Sequence, residues 1–322
     1  YVRLLDLKED LSILSQVVEA SDISRITQYY ADICDASAVR SAVLTFKPSL
    51  IIHLAGVQIP TVRANPALGA AVNVAGTVNV FEAVRALAAQ EGSAPVPVSY
   101  ASSGAVLGPS SDYAAGAPLP AERDYHRPRT LYGVFKLCNE GTARIYWQDH
   151  EVPSVGLRPL TIFGVGREIG LTSGPTKAVK AAVLGRRYMI EVSGVTGFHY
   201  VADVARMFIE AGAGASRMRA AHVCGVKGHH VSYEAFLREA SRSVPELASL
   251  AWIKPGAQDV PIHGDVDEAP LQALCGRTDL HLPLSEAVAE MAAHFKELKH
   301  LGKLHDKDLG PEPPAPAAAS RL

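Results

Sequence analysis

The chain has 322 residues, 48% of them hydrophobic and 20% charged, the proportions of an ordinary soluble globular protein with a substantial core. Its formal net charge of −2 argues against nucleic acid or an anionic membrane surface as a partner, since both demand a basic face. The four cysteines, Cys34, Cys138, Cys224 and Cys275, show no CxxC or His/Cys ligand spacing. They read as reduced core or near-core thiols of a cytoplasmic protein, and no metal is expected.

Apolar runs of strand length at 1–6, 26–31, 49–55, 96–102 and 154–159 alternate with helical patterns at 36–46, 66–90 and 130–150. Asn65 and Pro66 supply an N-cap and a first-turn proline for the second helix. Near-continuous apolar strands separated by helices imply a parallel sheet covered on both faces, the doubly wound α/β plan. The most apolar long window, 67–84, contains Asn73, Asn79 and Glu82 and reads as a buried helix, not a membrane span. The sequence begins at Tyr1 inside a strand-like run, with no signal peptide ahead of it, and the expectation is a fragment lacking its first structural unit.

Beyond Pro159 the segment 160–177, LTIFGVGREIGLTSGPTK, is rich in glycine and threonine and reads as a loop over a site. A helix at 176–184, a short strand at 188–192, a strand end running into a helix across 198–212, a strand at 220–226 and helices at 232–244 and 284–300 follow. The tail PEPPAPAAASRL, 311–322, is low-complexity and is expected to be disordered.

Open α/β sheets bind ligands at the carboxyl ends of their strands, so candidate residues come from there. Asp6 ends the first strand, where a carboxylate accepts hydrogen bonds from ribose hydroxyls and repels a 2′-phosphate; it suits a turn equally well. Leu54-Ala55-Gly56 close the strand LIIHLAG, where small residues let a ribose or a flat ring approach the backbone. His53, inside that strand, reads as a satisfied core histidine. Ser102 and Ser103 leave the sheet after the next strand; Ser103 is placed to hydrogen-bond a substrate oxygen, and such serines also serve as turn residues. Tyr132 and Lys136, at i and i+4, share one helical face. An unperturbed tyrosine ionises at roughly 10, too high for a base at neutral pH. A nearby ammonium and the positive charge of an oxidised nicotinamide would both lower it, as acid/base catalysis requires. Spacing alone leaves an ordinary helix-surface pair open.

Taken with ADICDAS around Asp32-Ile33, NVAGTVNV, ASSGAVLG, LRPLTIFG and FHYVADVA, in that order, the chain resembles the extended short-chain dehydrogenase/reductases of the NAD-dependent epimerase/dehydratase type. The resemblance runs from Tyr1 to the helix after Tyr233. It implies a Rossmann-type doubly wound sheet with a smaller mixed C-terminal substrate lobe, and NAD as cofactor. The dinucleotide domain would be 1–160 plus about 198–226, the substrate lobe 161–197 and 227–305, and the disordered tail 306–322. Ser103 would polarise the substrate oxygen, Tyr132 would pass the proton, and Lys136 would hold the nicotinamide ribose and lower the tyrosine pKa. Asp32 and Ile33 would flank the adenine; Leu54, Ala55 and Gly56 would line the dinucleotide; Asn73 would match the asparagine of the family's N-x-x-G-T segment; Pro159 to Thr161 would border the carboxamide. The resemblance also implies a homodimer built on 66–90 and 130–150.

Two departures bear on function. The family's glycine-rich phosphate loop, which should precede Asp6 by about 20 residues, is absent, in keeping with the fragment expectation. The alternative is a variant unable to bind the dinucleotide normally. Nucleotide-sugar members also carry an R-x-F-N-like segment and an Arg-Asp where this chain has LRPLTIFGVGRE and TGFHYVADVA, with Gly197 in place of the arginine. Arg167, Thr172, Ser173, Thr176 and Lys177 offer instead a hydroxyl-rich, partly cationic set suited to a polyol or sugar acid, though a solvated loop with a helix cap reads the same. Dehydratases carry Asp-Glu after the catalytic Ser/Thr, where Gly104 and Ala105 stand here. His229-His230 lack a carboxylate or cysteine at ligand spacing and read as a solvated turn. The expected function is an NAD-dependent oxidoreductase for a secondary alcohol of a sugar, sugar acid or polyol. The alternatives are an NAD-retaining epimerase and a non-catalytic NAD-binding or interaction protein.

Overall fold

The computed structural model describes residues 1–114, 117–120 and 126–315. Its strands are β1 (Val2–Asp6), β2 (Ile26–Tyr30), β3 (Ile51–His53), β4 (Val98–Ala101), β5 (Ser154–Arg158), β6 (Thr161–Phe163), β7 (Tyr188–Ser193), β8 (Val195–Tyr200), β9 (Ala221–Gly225), β10 (His229–Ser232) and β11 (Ala251–Asp259). The main helices are α1 (Ala36–Phe46), α2 (Pro66–Glu91), α3 (Leu131–His150), α4 (Gly174–Leu184), α5 (Val201–Met218), α6 (Tyr233–Ser243) and α7 (Leu284–His300).

Each helix start in the first half has a local cause. The Asp35 carboxylate accepts from the Ser37 and Ala38 amides at the head of α1, and Asn65 from Leu68 at the head of α2. Thr130 accepts from Gly133 at the head of α3. Helix α2 is interrupted by a π-helical stretch, Ala71–Ala75, which no sequence pattern announces. By length and composition α2 could cross a membrane, but Phe81 and Val84 are fully buried against α1 and β4, so its apolar content belongs to the core.

Strands β3, β4, β5 and β9 form a parallel sheet in that order, and β1 and β2 form a separate parallel ladder. The interior strands β4 and β5 are buried almost throughout, as a parallel sheet covered on both faces requires. Helices α1, α2 and α3 pack on one face around Phe81, Tyr100 and Val152; α5 packs on the other around Leu157, Met207 and Phe208. Ile52 and Leu54 are exposed on β3 and just beyond it.

After Arg158 the chain builds further, separate sheets. There β6 pairs with β8 and β8 with β10, β7 pairs with β11, and α4, α6 and α7 share a core around Phe163, Phe198, Phe236 and Met291. Part of the expected loop 160–177 is therefore strand. Three residues carry no readable alternation, and pairing with β8, 37 residues later, makes them one. His229 and His230 likewise lie on β10 and not in a solvated turn; His229 Nε2 lies 2.8 Å from the Leu282 carbonyl oxygen.

The expectation of a disordered tail from 306 is corrected as far as Glu312. Asp306 pairs with Arg186, Asp308 with Lys180 and Glu312 with Arg187, so acidic residues dock a stretch whose proline-rich end suggested disorder. The remainder of that expectation, from 316 on, lies outside the described residues. All four cysteines are free, but Cys138 is exposed on α3 and is not a near-core thiol.

Candidate active site

Helix α3 aims two side chains at the carboxyl end of β4. Lys136 is 4% exposed and its Nζ donates to the Ala101 carbonyl at 2.7 Å. Tyr132, one turn earlier, lies close enough to Ser103 for that side chain to act on its hydroxyl. Ser103 follows β4 in extended conformation, and its Oγ also accepts from the Ala105 amide at 3.2 Å. Gly133 makes this closeness possible: a Cβ there would lie 2.4 Å from the Ala105 carbonyl oxygen and push α3 off the loop that carries Ser103.

The three residues line a cavity of about 340 Å³ together with Leu54, Gly56, Ala101, Pro159, Arg167 and Thr172. Leu160, within the expected stretch Pro159 to Thr161, also forms its wall, as do Gln58 and the stretch Val260–Pro261–Ile262, neither of which the sequence points to. The last comes from beyond β11, far along the chain from the rest of the lining.

Other expected residues stand elsewhere. Asp6 accepts from the Lys8 amide and Asp32 from the Cys34 amide, both on the surface, while the Ile33 side chain is buried under Gly76 of α2. None of the three lines the cavity, nor does Ala55. Asn73, in the π-helical stretch, clamps the loop after β3: its Oδ1 accepts from Val57 N at 2.8 Å and its Nδ2 donates to Val57 O at 2.9 Å. The Asn73 carbonyl accepts from Asn139 Nδ2 and Thr77 Oγ1. The structure does not bring Thr161, Ser173 or Thr176 to the cavity. Thr161 Oγ1 faces Thr196, Ser173 Oγ donates to Gly170 O, and Thr176 Oγ1 accepts from the Gly164 amide. Their hydroxyls hold the loop in shape. Lys177 Nζ donates to the Asp308 carbonyl. His53 is the core histidine expected, buried beside Thr77 Oγ1 at 3.0 Å.

Burial dominates the electrostatics. It raises the Tyr132 hydroxyl above its usual range, against the nearby Ser103 hydroxyl and the charge of Arg167, which pull the other way. The expectation that Lys136 lowers the Tyr132 pKa is corrected. Its Nζ lies 5.6 Å from the Tyr132 ring centroid and bonds to Ala101, and the cation that acts on the hydroxyl is Arg167. Burial lowers Lys136 itself to about 8.

A second constellation underlies the first. Arg158, fully buried at the end of β5, makes a bidentate pair with Glu140 of α3, with Nε to Oε1 and NH2 to Oε2 both at 2.8 Å. Ser102 Oγ donates to the same Glu140 Oε1. Glu140 is one turn beyond Lys136, so Tyr132, Lys136 and Glu140 fall on one helical stripe, a signal present in the spacing.

A model of the NAD dependent epimerase/dehydratase family matches residues 2–223. The chain belongs to that family. Among solved structures, a monomeric L-threonine 3-dehydrogenase from a metagenome, in its apo form, aligns with TM-score 0.76 and 19% identity over 92% of this chain and 90% of that one. The UDP-glucose 4-epimerase of Thermus thermophilus, in complex with NAD, aligns with TM-score 0.70 and 18% identity over 92% and 99%. RMD from Pseudomonas aeruginosa, complexed with NADPH, aligns with TM-score 0.68 and 19% identity over 92% and 100%. At these identities the likeness is one of fold. No curated protein matches the sequence.

The residues present fit the nicotinamide-ribose half of the family's cofactor. A Cβ on Gly56 would meet Asn73 Oδ1 at 2.9 Å and Lys136 Nζ at 3.7 Å, so the bare backbone there leaves a shelf beside the ammonium. Lys136 gives one donor to Ala101, and an ammonium has others to offer.

Proposed function

We propose that the chain is an NAD-dependent oxidoreductase acting on a secondary alcohol of a sugar, sugar acid or polyol. The observation that carries this reading is the meeting of Ser103, Tyr132 and a buried lysine, Lys136, in the lining of one cavity. NAD, when bound, supplies the hydride acceptor. Every other task falls to side chains. Ser103 Oγ donates to the substrate oxygen and orients it. Tyr132, as phenolate, removes the hydroxyl proton and returns it in the reverse direction. Lys136 holds the ribose, and Pro159, Leu160, Ile162 and Phe208 form an apolar wall that keeps water from the reacting carbon. Net NADH formation with a small hydroxylated substrate is the expected readout. Interconversion of stereoisomers without NADH accumulation would replace this reading with an NAD-retaining epimerase.

Lys136 provides a pH prediction. Its folded pKa, about 8, lies below its ordinary 10.5, so between those values the unfolded chain binds the extra proton. Stability contributed by this residue therefore rises with pH across that window. The unfolding free energy of wild type relative to Lys136→Met is expected to climb from pH 8 to 10.5 in urea titrations; a flat difference would show that burial does not set the lysine's ionisation.

Cytoplasmic residence and a homodimer through α2 and α3 belong to the same proposal. Leu131, Val134 and Ile145 are exposed on α3, which suits a partner there. Light scattering is expected to give the dimer mass, and a monomer mass at micromolar concentration would refute the pairing.

A further inference from the structure

We propose that the cavity takes a small hydroxy acid and that Arg167 holds its carboxylate. The proposal rests on the oxidoreductase reading for the alcohol chemistry and adds the charge class of the substrate. Arg167 lies on the loop between β6 and α4, with its guanidinium on the cavity wall. NH1 donates to Ile169 O at 2.7 Å and to Gln58 Oε1 at 3.3 Å, and NH2 to Thr172 Oγ1 at 3.3 Å. Nε is buried without a hydrogen-bond partner. All of these acceptors are neutral, and two of the contacts are longer than a good hydrogen bond. Among the described residues no carboxylate pairs with Arg167; its neighbour Glu168 is taken by Lys180 at 3.1 Å and faces His305 at 3.5 Å.

A half-buried cation with no counterion is costly, and an anion entering the cavity reduces that cost. The planar fork of a guanidinium matches a carboxylate in two parallel hydrogen bonds. Balance of charge narrows the class. The other guanidinium on the wall, Arg129, is already neutralised by Asp112 at 2.6 and 2.7 Å. Lys136 serves Ala101 and the ribose side. With Lys136 given to the ribose side, the single positive charge of Arg167 suits a monoanion better than a phosphate dianion. Among the described lining residues there is no aspartate or glutamate to hold an ammonium, so a zwitterionic amino acid is poorly matched. Arg167 is close enough for its charge to act on the Tyr132 hydroxyl, which places a carboxylate held there near the alcohol that Tyr132 deprotonates.

The loop is shaped for this seat. Gly170 has φ +117, and a Cβ there would lie 2.1 Å from Gln58 Oε1 and 2.9 Å from Arg167 NH2. Only glycine lets the chain wrap the guanidinium so closely.

The test is calorimetric, with NAD present, on wild type, Arg167→Gln, Arg167→Lys and Tyr132→Phe. The probes are D-glycerate, D-gluconate and D-galacturonate as acids, glycerol and D-sorbitol as neutral counterparts, and L-serine and L-threonine as zwitterions. An acid is expected to bind at least about 10-fold tighter than its neutral counterpart and than either amino acid. Arg167→Gln is expected to weaken that acid by about 10- to 100-fold while leaving the polyols unchanged, with Arg167→Lys between the two. Should Arg167→Gln fail to fold by circular dichroism, the melting temperature of wild type decides: a rise with the acid and none with the polyol supports the site. Equal binding of acids and polyols, preference for an amino acid, no binding of any acid, or an acid affinity indifferent to Arg167 would each overturn it. The two readings fail separately. An acid bound through Arg167 without NADH formation sinks the oxidoreductase and spares the carboxylate seat. A polyol oxidised in a Tyr132-dependent way, with acids ignored, does the reverse.

Discussion

Tyr132→Phe is expected to lower kcat on the order of 10³-fold while substrate and cofactor affinities change little. The phenylalanine ring keeps the packing of the first turn of α3 and removes only the hydroxyl beside Ser103. An interaction used in proton transfer alone shows in kcat and kcat/KM equally, whereas one used in binding shows in KM. Because burial holds the tyrosine above its ordinary range, the residual rate of the wild-type oxidation should rise through the alkaline range, where the phenolate becomes populated. The variant should lose that slope. Steady-state kinetics on the best substrate from the acid and polyol panel would decide it. Turnover in Tyr132→Phe within a few-fold of wild type would remove Tyr132 from the mechanism and the enzyme reading with it.

Arg158→Met is expected to cost about 3–5 kcal/mol of stability, among the largest effects any single substitution here should have. Arg158 and Glu140 are 2% and 6% exposed at their side chains, and the substitution strands a carboxylate in the core between β4, β5 and α3. The double variant Arg158→Met/Glu140→Leu should regain most of that loss, since apolar replacement of both partners removes the buried charge as well as the bond. Urea unfolding of the wild type, both singles and the double gives the cycle. A single-variant cost below about 1 kcal/mol, the range of exposed pairs, would show that water reaches the pair. The consequence for the site is positional. Glu140 also accepts from Ser102, the neighbour of Ser103, so the pair fixes the end of β4 against the helix that carries Tyr132 and Lys136.

Several features were legible without a structure because they are local. The cap Asn65, the strand-length apolar runs of β4 and β5, and the i, i+4 placement of Tyr132 and Lys136 depend on neighbours within a turn or a strand. Their order along the chain points to the family whose model matches residues 2–223. The sequence by itself thus determined the α/β class, the cofactor type and the shared helical face of Tyr132 and Lys136. Tertiary structure decided what depends on distant partners. It turned Thr161–Phe163 and His229–Ser232 into strands by pairing both with β8. It directed Thr161, Ser173 and Thr176 away from the cavity and docked Asp306, Asp308 and Glu312 on basic side chains more than a hundred residues earlier. It also left Arg167 without a carboxylate among the described residues, a fact that no spacing encodes. Whether a charge is neutralised depends on what folding brings within a few ångströms of it, and sequence distance carries no record of that.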